Sequence, residues 1–281
     1  VRAKLVTLQK ALAVAKQDGD EPPKLGHFVF TGSPGTGKTT VARVLAQILC
    51  GLGLKPSSKI KETSGLKLTG QHVGQTKSEV DKQLKEAKGG ILFIDEAYSL
   101  GEGPYGKEAC DTIVEAMTSE EFSDVTIVIA GYTSEINDMF KSNAGLKSRF
   151  TEFLEFPDWE AEDCVSFIRI LATNEKFLLE DGVLDKVKYG CSTLSKLDGW
   201  GNARDVKSLW KDAKDQRAER VYGDSTASIE KNIILDDVVK SVKAMIEKRV
   251  PGGTIPEEGT DPLSLLDSLY RMDSVRAKLV T

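Results

Sequence analysis

Apolar and polar positions follow two alternating patterns along the first 157 residues. Short apolar or β-branched segments are separated by segments whose apolar residues recur at helical spacing. The predicted strands are 28–31, 59–63, 91–94, 125–130 and 153–156. The predicted helices are 1–16, a helix beginning near Lys38, 77–88 and 106–117, with a loop at 65–75. Strands and helices in alternation predict an α/β fold with a doubly wound parallel sheet.

The pattern changes after residue 157. Four further helices are predicted at 161–174, 181–194, 202–222 and 235–247, with no convincing strand among them. A polar stretch rich in Gly and Pro follows and is typical of a linker. The chain is therefore predicted to divide into an α/β domain (1–157), a smaller all-helical domain (158–248), a linker (249–261) and a final segment (262–281).

The two ends of the chain share one heptapeptide. Val-Arg-Ala-Lys-Leu-Val-Thr occupies residues 1–7 and again residues 275–281. The chain is either one unit of a tandem array or the product of an artificial joining, and we favour the array. Residues 262–281 are then expected to be the start of a following repeat unit.

Composition excludes several classes of function. The net charge of −5 gives no broad basic surface, so nucleic acid is not an expected partner. No apolar run approaches the roughly 20 residues that span a membrane, and the charged start is unlike a secretory signal. We therefore expect an intracellular protein, cytoplasmic by default. The four cysteines are far apart and form no CxxC pair, which favours buried thiols over a metal site.

The strongest chemical signal is a phosphate loop between the first strand and the following helix. It fits the pattern G-x-x-x-x-G-K-[ST], in which backbone N–H groups surround phosphates. Lys38 would reach the β- and γ-phosphates, and the Thr39 hydroxyl would hold Mg²⁺. The expected ligands are ATP and Mg²⁺. The candidate nucleotide-binding residues are Gly32, Ser33, Pro34, Gly35, Thr36, Gly37, Lys38, Thr39 and Thr40.

Two acids follow the apolar strand at 91–94. Asp95 is positioned to hold Mg²⁺ beside Thr39, and Glu96 is the candidate that polarises an attacking water. The order of phosphate loop, apolar strand and Asp-Glu is typical of nucleotide hydrolysis.

Several motifs together resemble one family. They are the phosphate loop, Gly-Ile-Leu-Phe-Ile-Asp-Glu-Ala-Tyr from Gly90, Ala-Gly-Tyr from Ala130, Ser-Asn-Ala-Gly-Leu-Lys-Ser-Arg-Phe from Ser142, and Gly-Asn-Ala-Arg from Gly201. In this order they resemble the AAA+ ATPases of the CbbX/CfxQ group over about residues 1–247. The resemblance implies an AAA+ module in which 1–157 is the nucleotide-binding subdomain and 158–248 is the helical lid.

The resemblance also assigns further site residues. Arg149 matches the arginine finger, which reaches into a neighbouring subunit's site, and Arg204 matches sensor 2, which also contacts nucleotide. Both are counted as catalytic candidates with Lys38 and Glu96. A rigid planar cation suits the charge that develops on the γ-phosphate. Sensor 1 departs from the usual Asn and is either Tyr132 or Thr133.

The pore loop matches the family's position but departs from its composition. His72, Val73 and Gly74 stand where the family has an aromatic, an apolar residue and glycine. Imidazole is flat and can press on a threaded chain, but it is smaller than a phenyl ring and titrates.

The resemblance implies an ATP-hydrolysing motor that assembles as a hexameric ring or spiral, with tandem modules as one route, and that remodels or threads a protein client. A nucleotide-dependent scaffold with slow hydrolysis is the alternative. A DNA-acting relative is disfavoured by the acidic balance. In the family, the segment before the first helix lies over the base. Here that segment, 267–274 with Met272, occurs only near the chain's end, so we expect it to serve a following unit.

Overall fold

A parallel sheet forms the centre of the first part of the chain in this computed structural model, which describes residues 2–20, 25–69, 75–222 and 230–250. The strands are β1 (His27–Gly32), β2 (Ile60–Ser64), β3 (Ile91–Asp95), β4 (Thr126–Gly131) and β5 (Phe150–Phe156). Their order is β2-β3-β4-β1-β5, and every pairing is parallel. The predicted α/β fold is confirmed.

Successive strand residues face opposite sides of the sheet, and each side is covered by helices. The helices of this part are α1 (Arg2–Asp18), α2 (Lys38–Gly51), α3 (Gly65–Leu68), α4 (Gln75–Ala87), α5 (Gly103–Thr118), α6 (Thr133–Ser142) and α7 (Ala144–Lys147). Val29 packs in one core with α4, α5 and α6, whereas Phe28 and Phe30 pack in the other core with α2. The two cores fix the direction in which β1 delivers the phosphate loop.

Several elements of this part differ from the sequence-based prediction. β5 begins at Phe150 rather than at 153, α5 begins at Gly103 rather than at 106, α4 begins at Gln75, and the predicted loop at 65–75 contains the short α3. α6 and α7 were not predicted. β5 is a sheet edge whose middle residues are exposed or half-buried, so its apolar signal is diluted.

The described residues form two compact units. Residues up to Asp158 form the first together with Gly201–Ala203, and Trp159–Trp200 form the second with the described residues from Arg204 onward. The second unit is built from α8 (Ala161–Glu175), α9 (Val183–Leu194), α10 (Ala203–Tyr222) and α11 (Leu235–Arg249) around its own core. The four predicted helices are confirmed.

The expected lack of strands in the second unit is wrong. β6 (Leu178–Leu179) and β7 (Asn232–Ile233) pair in parallel. The Leu178 N–H donates to Lys231 O at 2.7 Å, and the Glu180 N–H donates to Ile233 O at 3.0 Å. Two residues are too few for a period-2 pattern to be recognised.

Some expectations lie outside the described residues. They are the pore-loop positions His72, Val73 and Gly74, the linker beyond residue 250, and the segment 262–281 with its repeated heptapeptide. Among the residues that the structure describes, no helix has the length and apolar character to cross a bilayer.

Candidate functional site

The predicted nucleotide-site residues of the first unit meet at one edge of the sheet. β1 ends at Gly32, β3 at Asp95 and β4 at Gly131, and the carboxyl ends of parallel strands share an edge. Because β4 separates β1 from β3, the strands that lead to the phosphate loop and to Asp95 run about 10 Å apart, which is two strand spacings. Ligands of open α/β sheets bind outside this edge.

Glycines shape the phosphate loop. Gly32, Gly35 and Gly37 have φ angles of 145°, 74° and 103°, in the region that favours glycine. A Cβ on Gly32 would lie 2.2 Å from the Phe156 carbonyl oxygen of β5, so a side chain cannot fit there. The loop therefore bends back closely, as a backbone anion cradle requires.

Hydrogen bonds hold the loop's side chains. The Lys38 Nζ donates to the carbonyl oxygens of Gly32 at 2.7 Å and Ser33 at 2.8 Å. The Thr36 Oγ1 donates to Ser33 O at 2.9 Å, and Thr36 is buried. This places the lysine ammonium across the mouth of the loop.

The start of α2 completes this side of the site. α2 begins at Lys38, so Thr39 and Thr40 lie in its first turn, Thr39 half-buried and Thr40 exposed. The first N–H groups of a helix have no partner within it and favour an anion. The residues present therefore fit a polyphosphate.

Asp95 and Glu96 leave β3 with a sharply fixed backbone. Glu96 has φ 48° and ψ 42°, a left-handed conformation that costs a non-glycine residue free energy. Its N–H donates to Asp95 Oδ1 at 3.0 Å, and its carbonyl accepts from the Ser99 N–H at 3.2 Å and Ser99 Oγ at 2.9 Å. Asp95 is half-buried and Glu96 is exposed.

Both sensor 1 candidates follow β4. Tyr132 and Thr133 line a cavity of about 340 Å³ with Ser33 of the phosphate loop. The Tyr132 ring lies 6.1 Å from the ring of Tyr98. Burial, and secondarily the charge of Glu96, raise the pKa of the Tyr98 phenol. Both residues face the loop, so the two alternatives remain.

The structure adds Asn202, which the sequence did not single out. Its Nδ2 donates to Pro34 O at 3.0 Å and to Asp158 Oδ1 at 2.9 Å, and the next N–H, of Ala203, donates to Gly35 O at 3.2 Å. Asn202 is fully buried with φ 52°. The available signal was its place in Gly-Asn-Ala-Arg. Arg204, next in the chain, belongs to the second unit.

Arg149 lies at the amino ends of the parallel strands, whereas the phosphate loop lies at their carboxyl ends. It precedes β5, whose first residue, Phe150, pairs with His27, whereas Phe156 pairs with Gly32. The length of β5 corresponds to roughly 20 Å. Arg149 is exposed, and in the described part of the chain its guanidinium forms no ion pair. The site of its own chain therefore does not contain Arg149.

The described side chains do not by themselves form a metal site. Within residues 2–20, 25–69, 75–222 and 230–250, no group of three or more His, Cys, Asp or Glu side chains is arranged to hold a metal ion. A divalent ion at this edge would depend on Thr39, Asp95 and the oxygens of a bound phosphate.

Comparison with known proteins identifies similar sequences. The family model "ATPase family associated with various cellular activities (AAA)" matches residues 28–158. The protein CfxQ homolog of Galdieria sulphuraria is 34% identical over 224 residues, covering 76% of this chain and 73% of that protein. The ESX-3 secretion system protein EccA3 of Mycobacterium leprae (strain TN) is 31% identical over 88% of this chain. This chain spans 41% of that EccA3 protein's length.

Solved structures share the fold. The Thermotoga maritima RuvB Holliday junction branch migration motor matches with a TM-score of 0.60 and 22% identity, over 87% of this chain and 69% of that one. The FIGL-1 AAA domain in complex with ADP matches with a TM-score of 0.59 and 18% identity, over 98% and 88% of the two chains. At these identities the likeness concerns the fold alone.

Proposed function

Because this chain belongs to the AAA family of ATPases, in its CbbX/CfxQ-type group, we propose that it works as a motor whose ATPase sites are shared between neighbouring subunits of a ring or spiral. The coarser activity, ATP hydrolysis, follows from the family. The substrate of this motor would be a protein client.

The phosphate loop binds and orients the triphosphate. Backbone N–H groups of residues 33–39 surround the phosphates, and Lys38 neutralises charge on the β- and γ-phosphates. Thr39 and Asp95 would hold Mg²⁺, which would supply positive charge to neutralise the phosphates. The oxygen donors present, a hydroxyl and a carboxylate, suit this hard cation.

Glu96 acts on the attacking water. Its exposed carboxylate leaves β3 at the edge where the phosphate loop lies, and its left-handed backbone is held by Ser99. A carboxylate there accepts a hydrogen bond from water and orients the oxygen for in-line attack on the γ-phosphate. The bond to the β–γ bridging oxygen breaks, and ADP and phosphate leave.

The observation that carries the shared site is the position of Arg149. The length of β5 separates Arg149 from the phosphate loop of its own chain by roughly 20 Å. Its guanidinium can therefore serve the loop of another subunit.

Arg204 is proposed as sensor 2. The pore-loop positions His72, Val73 and Gly74 are proposed to contact the client, and the EccA3 relative's name as a secretion system protein suggests a client of that kind.

A pair of substitutions tests the catalytic assignment. Glu96→Gln keeps the side chain's shape but loses the carboxylate, so ATP binding should persist while phosphate release falls about 100-fold or more. Lys38→Ala should lose binding itself. Glu102→Gln, at an exposed glutamate a few residues further along, is the matched control and should behave as the parent.

Measurements of ATP binding and phosphate release separate the outcomes. Near-parental turnover by Glu96→Gln would overturn its role. A parent that binds ATP yet does not hydrolyse it in any assembly would instead favour the nucleotide-dependent scaffold, which the Tyr132-Thr133 departure at sensor 1 makes the second candidate.

A further inference from the structure

A short segment, Gly201–Ala203, contacts the back of the phosphate loop. It is grouped with the first unit, although the residues on both sides of it belong to the second. Two of its hydrogen bonds to the loop end on consecutive carbonyl oxygens, those of Pro34 and Gly35. Neither of these carbonyls belongs to a regular helix or strand.

Fixing a carbonyl also fixes the next N–H. In a trans peptide the C=O and N–H bonds of one plane point in opposite directions, and the described residues contain no cis peptide. The Asn202 amide holds Pro34 O, so the Gly35 N–H points away from Asn202. The Ala203 N–H donates to Gly35 O, so the Thr36 N–H also points away from the Gly201–Ala203 segment.

Asn202 is itself held firmly. The second hydrogen of its amide is donated to Asp158 Oδ1 at 2.9 Å, a charge-assisted bond. Asp158 follows shortly after β5, whose last residue, Phe156, lies against Gly32. The left-handed backbone of Asn202 is one that asparagine adopts more readily than most residues. Its full burial keeps the amide out of contact with bulk water.

We propose that Asn202 is a positioning residue for nucleotide binding, which holds the Gly35 and Thr36 N–H groups toward the bound phosphates. The inference rests on the proposed function, in which this loop binds ATP. A loop whose donors are aimed beforehand need not reorganise when the anion arrives, so affinity is gained without any contact between Asn202 and the nucleotide.

If Asn202 positions the loop, its replacement should weaken recognition of the phosphates rather than of the base. Asn202→Gly removes the amide but tolerates the left-handed backbone. The affinity of this variant for ATP should fall about tenfold, and so should its affinity for tripolyphosphate, which has no base. A tenfold loss corresponds to the loss of one buried hydrogen bond. Asn202→Asp should lose more, because it brings a carboxylate against Pro34 O and Asp158. Asp158→Asn keeps an acceptor oxygen and should stay close to the parent.

Two controls separate positioning from general stability. Ile113→Val removes a buried methyl group from the core of the same unit and should lower the thermal midpoint without changing tripolyphosphate affinity. In ¹⁵N-labelled protein, tripolyphosphate should shift the Gly35 and Thr36 amide signals of the parent, and shift them less in Asn202→Gly. A purely structural role would not produce this difference.

Calorimetric titration with tripolyphosphate, using the full chain, decides between the outcomes. Parental affinity in a folded Asn202→Gly would overturn the inference alone. A parent chain that binds neither ATP nor tripolyphosphate would overturn the proposed function and this inference with it. If Asn202→Gly does not fold, Asn202→Asp and Asp158→Ala provide the same test, because the first removes both hydrogen bonds of the amide and the second removes its bond to Asp158.

Discussion

At the scale of single residues, His27 is a base whose pKa is strongly lowered by its surroundings. It begins β1, and its Nδ1 accepts the Ile127 N–H of β4 at 3.0 Å. Burial, and secondarily the charge of Lys55, lower the pKa of His27 from 6.5 to about 4. Burial likewise lowers the pKa of Lys55 to about 8, although Asp124 opposes the shift. The imidazole is therefore neutral in the folded protein near neutral pH.

The pKa of His27 predicts a pH dependence of stability. Between pH 6.5 and 4 the unfolded chain binds a proton at His27 that the folded chain does not, so the free energy of unfolding falls as pH falls through this window. His27→Asn keeps an acceptor for the Ile127 N–H but does not titrate. Its loss of stability from pH 7 to pH 5 should be smaller than the parent's by roughly 1–2 kcal/mol.

Urea unfolding at both pH values measures this difference. Carboxylates titrate in the same range in both proteins, so only the difference between parent and variant is assigned to His27. Equal losses in the two proteins would show that folding does not lower the pKa of His27.

The sequence predicted those site residues whose neighbours in space are also neighbours in the chain. Each of two motifs, Gly32–Thr40 and Asp95–Glu96, can be recognised from a short stretch of consecutive residues. Asn202 does not, because its partner Pro34 lies 168 positions earlier. Its role depends on a tertiary contact that local pattern does not contain.

At the scale of elements, α9 and α11 pack closely at one glycine. A Cβ added at Gly190 would lie 2.7 Å from Val242 Cγ2 and 2.8 Å from Val242 Cγ1. Both residues are buried in the second unit. Glycine weakens the helix but allows the close approach.

Because of this contact, the effect of Gly190→Ala on the free energy of unfolding should reverse its sign when Val242 is replaced by alanine. Gly190→Ala alone should destabilise the protein by about 1–3 kcal/mol, because the added methyl group overpacks the contact. In a Val242→Ala background the same change should stabilise by up to about 1 kcal/mol, since the space is open and alanine favours helix. Denaturant unfolding of all four proteins gives the coupling energy. Additive effects would contradict the packing.

Element boundaries were predicted best where both faces of a strand are buried. β3 and β4 are continuous apolar runs and were recognised as such. β5 shows its apolar pattern only in part, because one side of the sheet edge is exposed, and β6 and β7 depend on pairing across 50 or more positions. Pairing of that kind is a property of the folded chain.

At the scale of the whole molecule, Arg149 and the phosphate loop lie at opposite ends of the strands of one sheet. If Arg149 serves a neighbour, Arg149→Ala should lose about 1000-fold or more of its ATPase activity while it still binds ATP. Mixing it with Glu96→Gln should restore part of the activity, because an interface that combines the intact Glu96 of one variant with the intact Arg149 of the other is complete.

The control for this mixture is Arg169→Ala, which removes an exposed arginine of α8 and should retain parental activity. The specific activity of the parent should rise with protein concentration as subunits assemble. A parent whose specific activity stays constant down to a demonstrated monomer would contradict the shared site.

The position of β1 inside the sheet also has a consequence for synthesis. Phe28 pairs with Val128 on one side and with Glu152 on the other, so both neighbours of β1 leave the ribosome much later than β1 itself. Until then an apolar strand has no partner and is exposed to aggregation and to chaperones. Gly32 packs against Phe156, so the nascent chain acquires its nucleotide loop only after β5 emerges.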